Sequence, residues 1–193
     1  MTDLAIDPAT TALIVIDLQH GIVARPAAPH SAADVVSRCA KLAKAFREAG
    51  ALVVLVHVGF SDDDGDRLKP AADAAPPALP RAADWSELVP ELDQQPGDIV
   101  ILKRQWGAFY GTALDLQLRR RGIKTLVYGG IATNFGVEST ARDAYERGFE
   151  QLFVEDAMSG LTEGAHTFAI TTIFPRIGRV RSTDDVLAAI KVR

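Results

Sequence analysis

Cysteine is nearly absent. Cys39 is the single one among 193 residues, so no intrachain disulfide and no multi-thiolate metal site can form. Positive charge is not in excess either: Lys and Arg total 21 against 25 for Asp and Glu, a formal net charge of −4. That balance supplies no basic footprint for nucleic acid. No apolar run approaches the roughly 20 residues that span a bilayer, so no membrane partner is expected. The N-terminal stretch MTDLAIDPATTALIVIDLQ carries acidic residues where a signal peptide carries basic ones, which points to a cytoplasmic protein. Internal repeats and low-complexity tails are lacking as well.

What is present is ordinary globular material, 48% apolar and 24% charged, at a length that suits one domain over residues 1–193. Val35, Cys39, Leu42 and Phe46 recur at i, i+4, i+7 and i+11, the buried stripe of an amphipathic helix. Ser31 opens that helix and Gly50 closes it. Cys39 therefore reads as an inert core residue, since free cysteine packs like a small hydrophobe.

Strand-like and helix-like segments alternate along the chain. Short apolar runs at 12–16 (ALIVI), 51–58 (ALVVLVHV), 99–102 (IVIL), 125–128 (TLVY) and 151–154 have the pattern of strands buried on both faces, with a sixth at 179–181. Helices are expected at 112–122, 137–147 and 184–190. The alternation predicts an α/β protein, a three-layer α/β/α sandwich with a mostly parallel six-stranded sheet.

The segment 59–97 breaks the rhythm, with six of the ten prolines in its 39 residues (97 − 59 + 1). A connection this long commonly acts as a lid or a subunit contact. Trp85, Leu88 and Leu92 at i, i+3 and i+7 suggest a short helix within it, with an apolar stripe that needs a partner.

Ligands of open α/β sheets bind beyond the carboxyl ends of the strands. Asp17 follows the first run, Lys103 follows IVIL, and the turn 129–136 follows TLVY. Each charge alone is ordinary solvated punctuation. An acid and a base at two strand ends, beside a Gly-rich helix N-terminus suited to an anion, is a functional constellation.

Three motifs in this order, VIDLQ (15–19), KRQWGAFYGT (103–112) and GGIATNFGVESTARDA (129–144), resemble the isochorismatase-like hydrolase superfamily. The resemblance implies catalytic Asp17 and Lys103, a cis peptide at Ile131–Ala132, and an anion hole of backbone amides near Gly136. It also places the family's nucleophilic cysteine at Gly136, so a thioester route is closed. The chain is most similar to the YecD-type branch, which shares QWGAFYGT and this glycine. Candidate substrate contacts in the motifs are Gln19, Trp106, Tyr110, Ala132, Asn134 and Phe135, with Arg67, Arg81 or Arg104 available for a substrate carboxylate. Phe109 is expected in the core.

The function implied is hydrolysis of a small, anionic metabolite, with no cofactor and no metal. The alternative is a non-enzymatic small-molecule binding or regulatory protein that lost its thiol. The resemblance further implies a homodimer or homotetramer. An ammonium beside Asp17 is expected to lower its pKa and keep it ionised, which favours a base that orients or deprotonates water. An acid role would need burial on substrate binding to raise the pKa again.

Overall fold

The computed structural model describes residues 4–74 and 82–190. After a short 3₁₀ turn at Pro8–Thr10 come β1 (Thr11–Ile16), α1 (His20–Val23), α2 (Ala32–Glu48), β2 (Leu52–Val58), a second 3₁₀ turn at Pro90–Leu92 and β3 (Ile99–Lys103). The second half holds α3 (Leu114–Arg120), β4 (Thr125–Ile131), α4 (Glu138–Glu146), β5 (Glu150–Ser159), α5 (Glu163–Phe168), α6 (Phe174–Ile177), β6 (Arg179–Arg181) and α7 (Thr183–Ala189). One sheet of order β3-β2-β1-β4-β5-β6 contains all six strands, and every neighbouring pair is parallel.

The layers follow from strand alternation. Leu13 and Val15 of β1 join Val35, Cys39, Leu42 and Phe46 of α2 on one face, while Ala12, Ile14 and Ile16 join Leu114, Leu118, Ala141 and Ala144 of α3 and α4 on the other. All six residues of β1 are buried. Each fully buried Leu, Ile or Val contributes about 1.5–3 kcal/mol to holding the layers together. Cys39 is wholly buried, donates to Ala157 O at 3.3 Å, and has its thiol pushed up to about 12 by burial. The order of strands reverses between β1 and β4, so the switch point lies over their carboxyl ends.

Several local expectations are corrected. The 85–92 stretch is no α-helix but a turn followed by the 3₁₀ turn, because Pro90 interrupts the pattern. Its apolar stripe turns inward: Leu92 is buried and Leu88 packs on the α2-side core. Trp85 stacks on Phe60 at 5.9 Å, so the stripe requires no second subunit. β5 runs on to Ser159, beyond the expected 151–154, and bulges against β4 between the Tyr128–Phe153 and Gly130–Met158 pairs. The helical stretch between 163 and 177 adds to the expected elements: Ala169, Ile170, Ile173, Phe174 and Ile177 recur at helical spacing and pack on the core beside α3 and α4. The helix expected at 137 is preceded by a wide π-helical turn, Thr133–Val137. Among the described residues no helix is long and apolar enough to cross a membrane.

Candidate active site

Asp17 sits one residue beyond β1 in the left-handed region (φ 54°). Its amide donates to Val56 O at 2.8 Å, so β2 fixes where the side chain starts. Lys103 closes β3 and crosses to meet it: Nζ donates to Asp17 Oδ2 at 2.7 Å and to Trp106 O at 2.6 Å. Both are buried, Asp17 at 6% and Lys103 at 1% exposure. Burial pushes the Asp17 carboxyl above its usual range, and the Lys103 ammonium pulls it back only in part. The expected lowering by the ammonium is thus overturned, because desolvation is the larger effect.

The third element comes from β4. The Ile131–Ala132 peptide is cis, and Ala132 O accepts from Phe135 N and Val137 N as the chain winds into the wide turn. This brings Gly136 against the ion pair. A Cβ at Gly136 would lie 2.9 Å from Asp17 Oδ2, 2.9 Å from Ile16 Cγ2 and 3.1 Å from Lys103 Nζ. The Asp17–Lys103 contact occupies the space into which a side chain at 136 would project.

The chain that carries this arrangement, an acid and an ammonium converging on a glycine turn at the switch point, has relatives among known proteins. Residues 11–185 match the isochorismatase domain. The chain belongs to the isochorismatase family of hydrolases. It is 50% identical over 187 residues to the uncharacterized isochorismatase family protein YecD of Escherichia coli, covering 97% of this chain and 100% of that one. An isochorismatase family protein from Burkholderia thailandensis superposes with a TM-score of 0.93 at 48% identity, over 98% of this chain and 99% of that one. The ureidoacrylate amidohydrolase RutB of Methylorubrum extorquens is 33% identical over 218 residues, 98% of this chain and 88% of its own.

The remaining candidates separate within this isochorismatase-family frame. Gln19, expected to touch substrate, is fully buried and its amide serves the backbone instead. Its Nε2 donates to Val58 O (3.0 Å) and Trp85 O (3.1 Å), and its Oε1 accepts from Val58 N (2.7 Å). It clamps the 82–97 stretch across the ends of β1 and β2, helped by Gly21 N to Trp85 O and His20 N to Glu87 O. Gln19→Leu leaves Val58 N buried without an acceptor and is expected to cost about 1–3 kcal/mol, read as a lower midpoint in urea unfolding.

Trp106 packs edge-on against Phe135 at 4.9 Å with the indole 63% exposed, so the two form an accessible apolar ledge beside Lys103. Tyr110 is 78% exposed, and Phe109 is in the core. Asn134 and Asp17 share a feature: Asn134 Oδ1 and Asp17 Oδ1 are buried acceptors without a hydrogen-bond partner. Arg67 lies by Asp64 and Phe60, and Arg104 pairs with Asp66 and donates to Gly59 O, so local acids already engage both. Arg81 lies outside the described residues. An apolar groove along α2, lined by Val23, Val36, Val89 and Leu92, contains none of Asp17, Lys103 and Gly136.

Sequence reasoning passed over Thr140 and Thr133. Thr140 Oγ1 donates to Gly136 O (2.7 Å) and accepts from Ala108 N (3.1 Å), tying the turn to the chain that follows Lys103. Thr133 Oγ1 is 2.8 Å from His166 Nδ1. Threonines on a helix carry no pattern that announces such ties.

Proposed function

We propose that this isochorismatase-family hydrolase acts on a small, anionic metabolite without a covalent enzyme intermediate. Asp17 serves as the acid, Lys103 as its electrostatic partner, and backbone amides of the turn around Gly136 as the anion hole. The observation that carries this reading is the crowding at Gly136: acid and ammonium stand where a nucleophile would project. The chain's one thiol, Cys39, is deep in the core with its pKa raised to about 12, so it supplies no thiolate. Water must then be the nucleophile, whether the bond cleaved is an amide, as the name of RutB states for that relative, or a vinyl ether.

The carboxyl proton has a defined place. Oδ2 accepts from Lys103, which leaves Oδ1, the oxygen without a partner, to carry the proton and hand it to substrate. Burial favours this protonated form, and the Lys103 ammonium moderates the effect without reversing it. A substrate donor answers Asn134 Oδ1, the other orphaned acceptor. The ammonium and the turn amides attract a substrate carboxylate or a developing oxyanion.

A turnover screen over vinyl ethers, amides and esters, repeated with Asp17→Asn, tests the reading. Loss of the acid is expected to lower kcat by about 10²–10⁴-fold. The kcat of the unmodified protein should fall as pH rises through the raised Asp17 pKa, because the acid must hold its proton. That limb should vanish in Asp17→Asn. Turnover unchanged by the substitution rejects the assignment, and binding without turnover favours a non-enzymatic role.

A further inference from the structure

Outside the Asp17–Lys103 pair, three metal-ligating side chains from distant parts of the chain meet beside the turn that follows β4. His30 Nε2 is 2.9 Å from Glu155 Oε1, and His166 Nε2 is 3.3 Å from the same oxygen. One ligand atom from each lies within 4.8 Å of the other two. We propose that His30, Glu155 and His166 bind one divalent transition-metal ion, with zinc the ion their donor set favours.

The chemistry supports that assignment. Two imidazoles and a carboxylate form a known zinc donor set, with a fourth position left for water. Ligands at about 2.0–2.1 Å around a tetrahedral zinc stand roughly 3.3 Å apart, close to the spacing already present. Two imidazoles that needed only an acceptor could each take one carboxylate oxygen, yet both aim Nε2 at Oε1. The His30 and Glu155 side chains are 24% and 35% exposed, giving an ion access, whereas His166 is 3% exposed.

The three ligands are fixed before any ion arrives. Ser159 Oγ donates to His30 O at 2.8 Å, and Ala28 and Gly160 exchange two backbone hydrogen bonds at 3.0 Å each. The β5 bulge takes Glu155 out of the ladder with β4, and the two rings meet edge to face at 5.8 Å and 86°. With Nε2 on the metal, His166 Nδ1–H donates to Thr133 Oγ1. That outer hydrogen bond sets the tautomer and orients the ring. Because Thr133 opens the turn that carries Gly136, the ion steadies the anion-hole turn through a single contact.

Tag-free protein, stripped with a chelator, is titrated with zinc chloride by calorimetry and with cobalt chloride by visible absorption. One ion per chain is expected, with the absorption of four-coordinate cobalt. His30→Gln and Glu155→Gln, both at partly exposed positions, should each weaken zinc binding at least tenfold, the low end of what even an outer-shell loss costs, about 10–100-fold. Zinc should raise the melting temperature of the unmodified protein and not that of Glu155→Gln. Circular dichroism of the metal-free variants checks that they fold. Absence of stoichiometric binding overturns the proposal. So does binding that both variants retain, which would assign the ion to His20, His57 or a surface group.

Discussion

Above the raised Asp17 pKa, where the carboxylate is ionised, Lys103→Met is expected to lower stability by about 3–5 kcal/mol, the cost of stripping a buried charge of its partner, and the substitution should abolish turnover. Asp17 then keeps neither its 2.7 Å ion pair nor any other side-chain hydrogen bond. The loss should depend on pH in a defined direction. Burial already raises the Asp17 pKa, and removing the ammonium, the leading influence that lowers it, raises it further. A carboxyl whose folded pKa exceeds its unfolded value favours the folded state at low pH and loses that contribution as pH rises. The deficit of Lys103→Met therefore grows from acid toward neutral pH. Urea unfolding across that range measures it, and a pH-independent deficit would show that Asp17 is not the group left behind. In the Asp17→Asn background the same substitution should cost less, since a neutral amide demands no cation. A coupling of about 0.5–3 kcal/mol is expected from the double-mutant cycle.

Gly130→Ala should prevent cooperative folding or cost more than about 4 kcal/mol, a rare magnitude for one methyl group. Its Cβ would lie 2.1 Å from Ile16 O and 2.6 Å from Ile16 N, and the backbone stands at φ 122°. Those atoms belong to β1, the strand that β2 and β4 flank and that ends one residue before Asp17, so neither side can yield. Gly164→Ala makes the contrast. Nothing lies within 4 Å of its Cβ, the position is exposed in α5, and alanine favours a helix by roughly 0.8–1.0 kcal/mol over glycine. Thermal unfolding of the pair should show the first melt lost or far lowered and the second level or slightly raised.

Apolar runs made five of the strands legible. A strand covered by helices on both faces, as β1 is, shows no polar alternation to confuse the reading, whereas β3, expected to be buried on both faces, is an edge strand that leaves Val100 and Leu102 exposed. The α2 helix was legible from its stripe and its Ser31 cap, which accepts from Asp34 N at 3.1 Å. The family motifs placed Asp17, Lys103 and Gly136 together. The extension of β5 beyond Val154 has no apolar run to announce it, since the charged Glu155 and Asp156 follow directly. In the fold, Asp156 accepts from Thr183 N (2.7 Å) and Glu155 reaches two histidines, so both charges are satisfied by partners remote in sequence.

By itself, then, the sequence determined what depends on local pattern and on residue type: the α/β alternation, the burial of Cys39, and the lack of a nucleophile at Gly136. Tertiary structure alone decided what depends on who meets whom. It turned Gln19 into a backbone clamp and folded Leu88 and Leu92 onto their own core. It set desolvation above Lys103 at Asp17, and it gathered His30, Glu155 and His166 across 136 residues of chain (166 − 30). The physical reason is common to all four. Periodicity reports the face a residue presents, whereas hydrogen-bond partners, dielectric surroundings and ligand geometry arise only when strands and loops far apart in sequence are packed side by side.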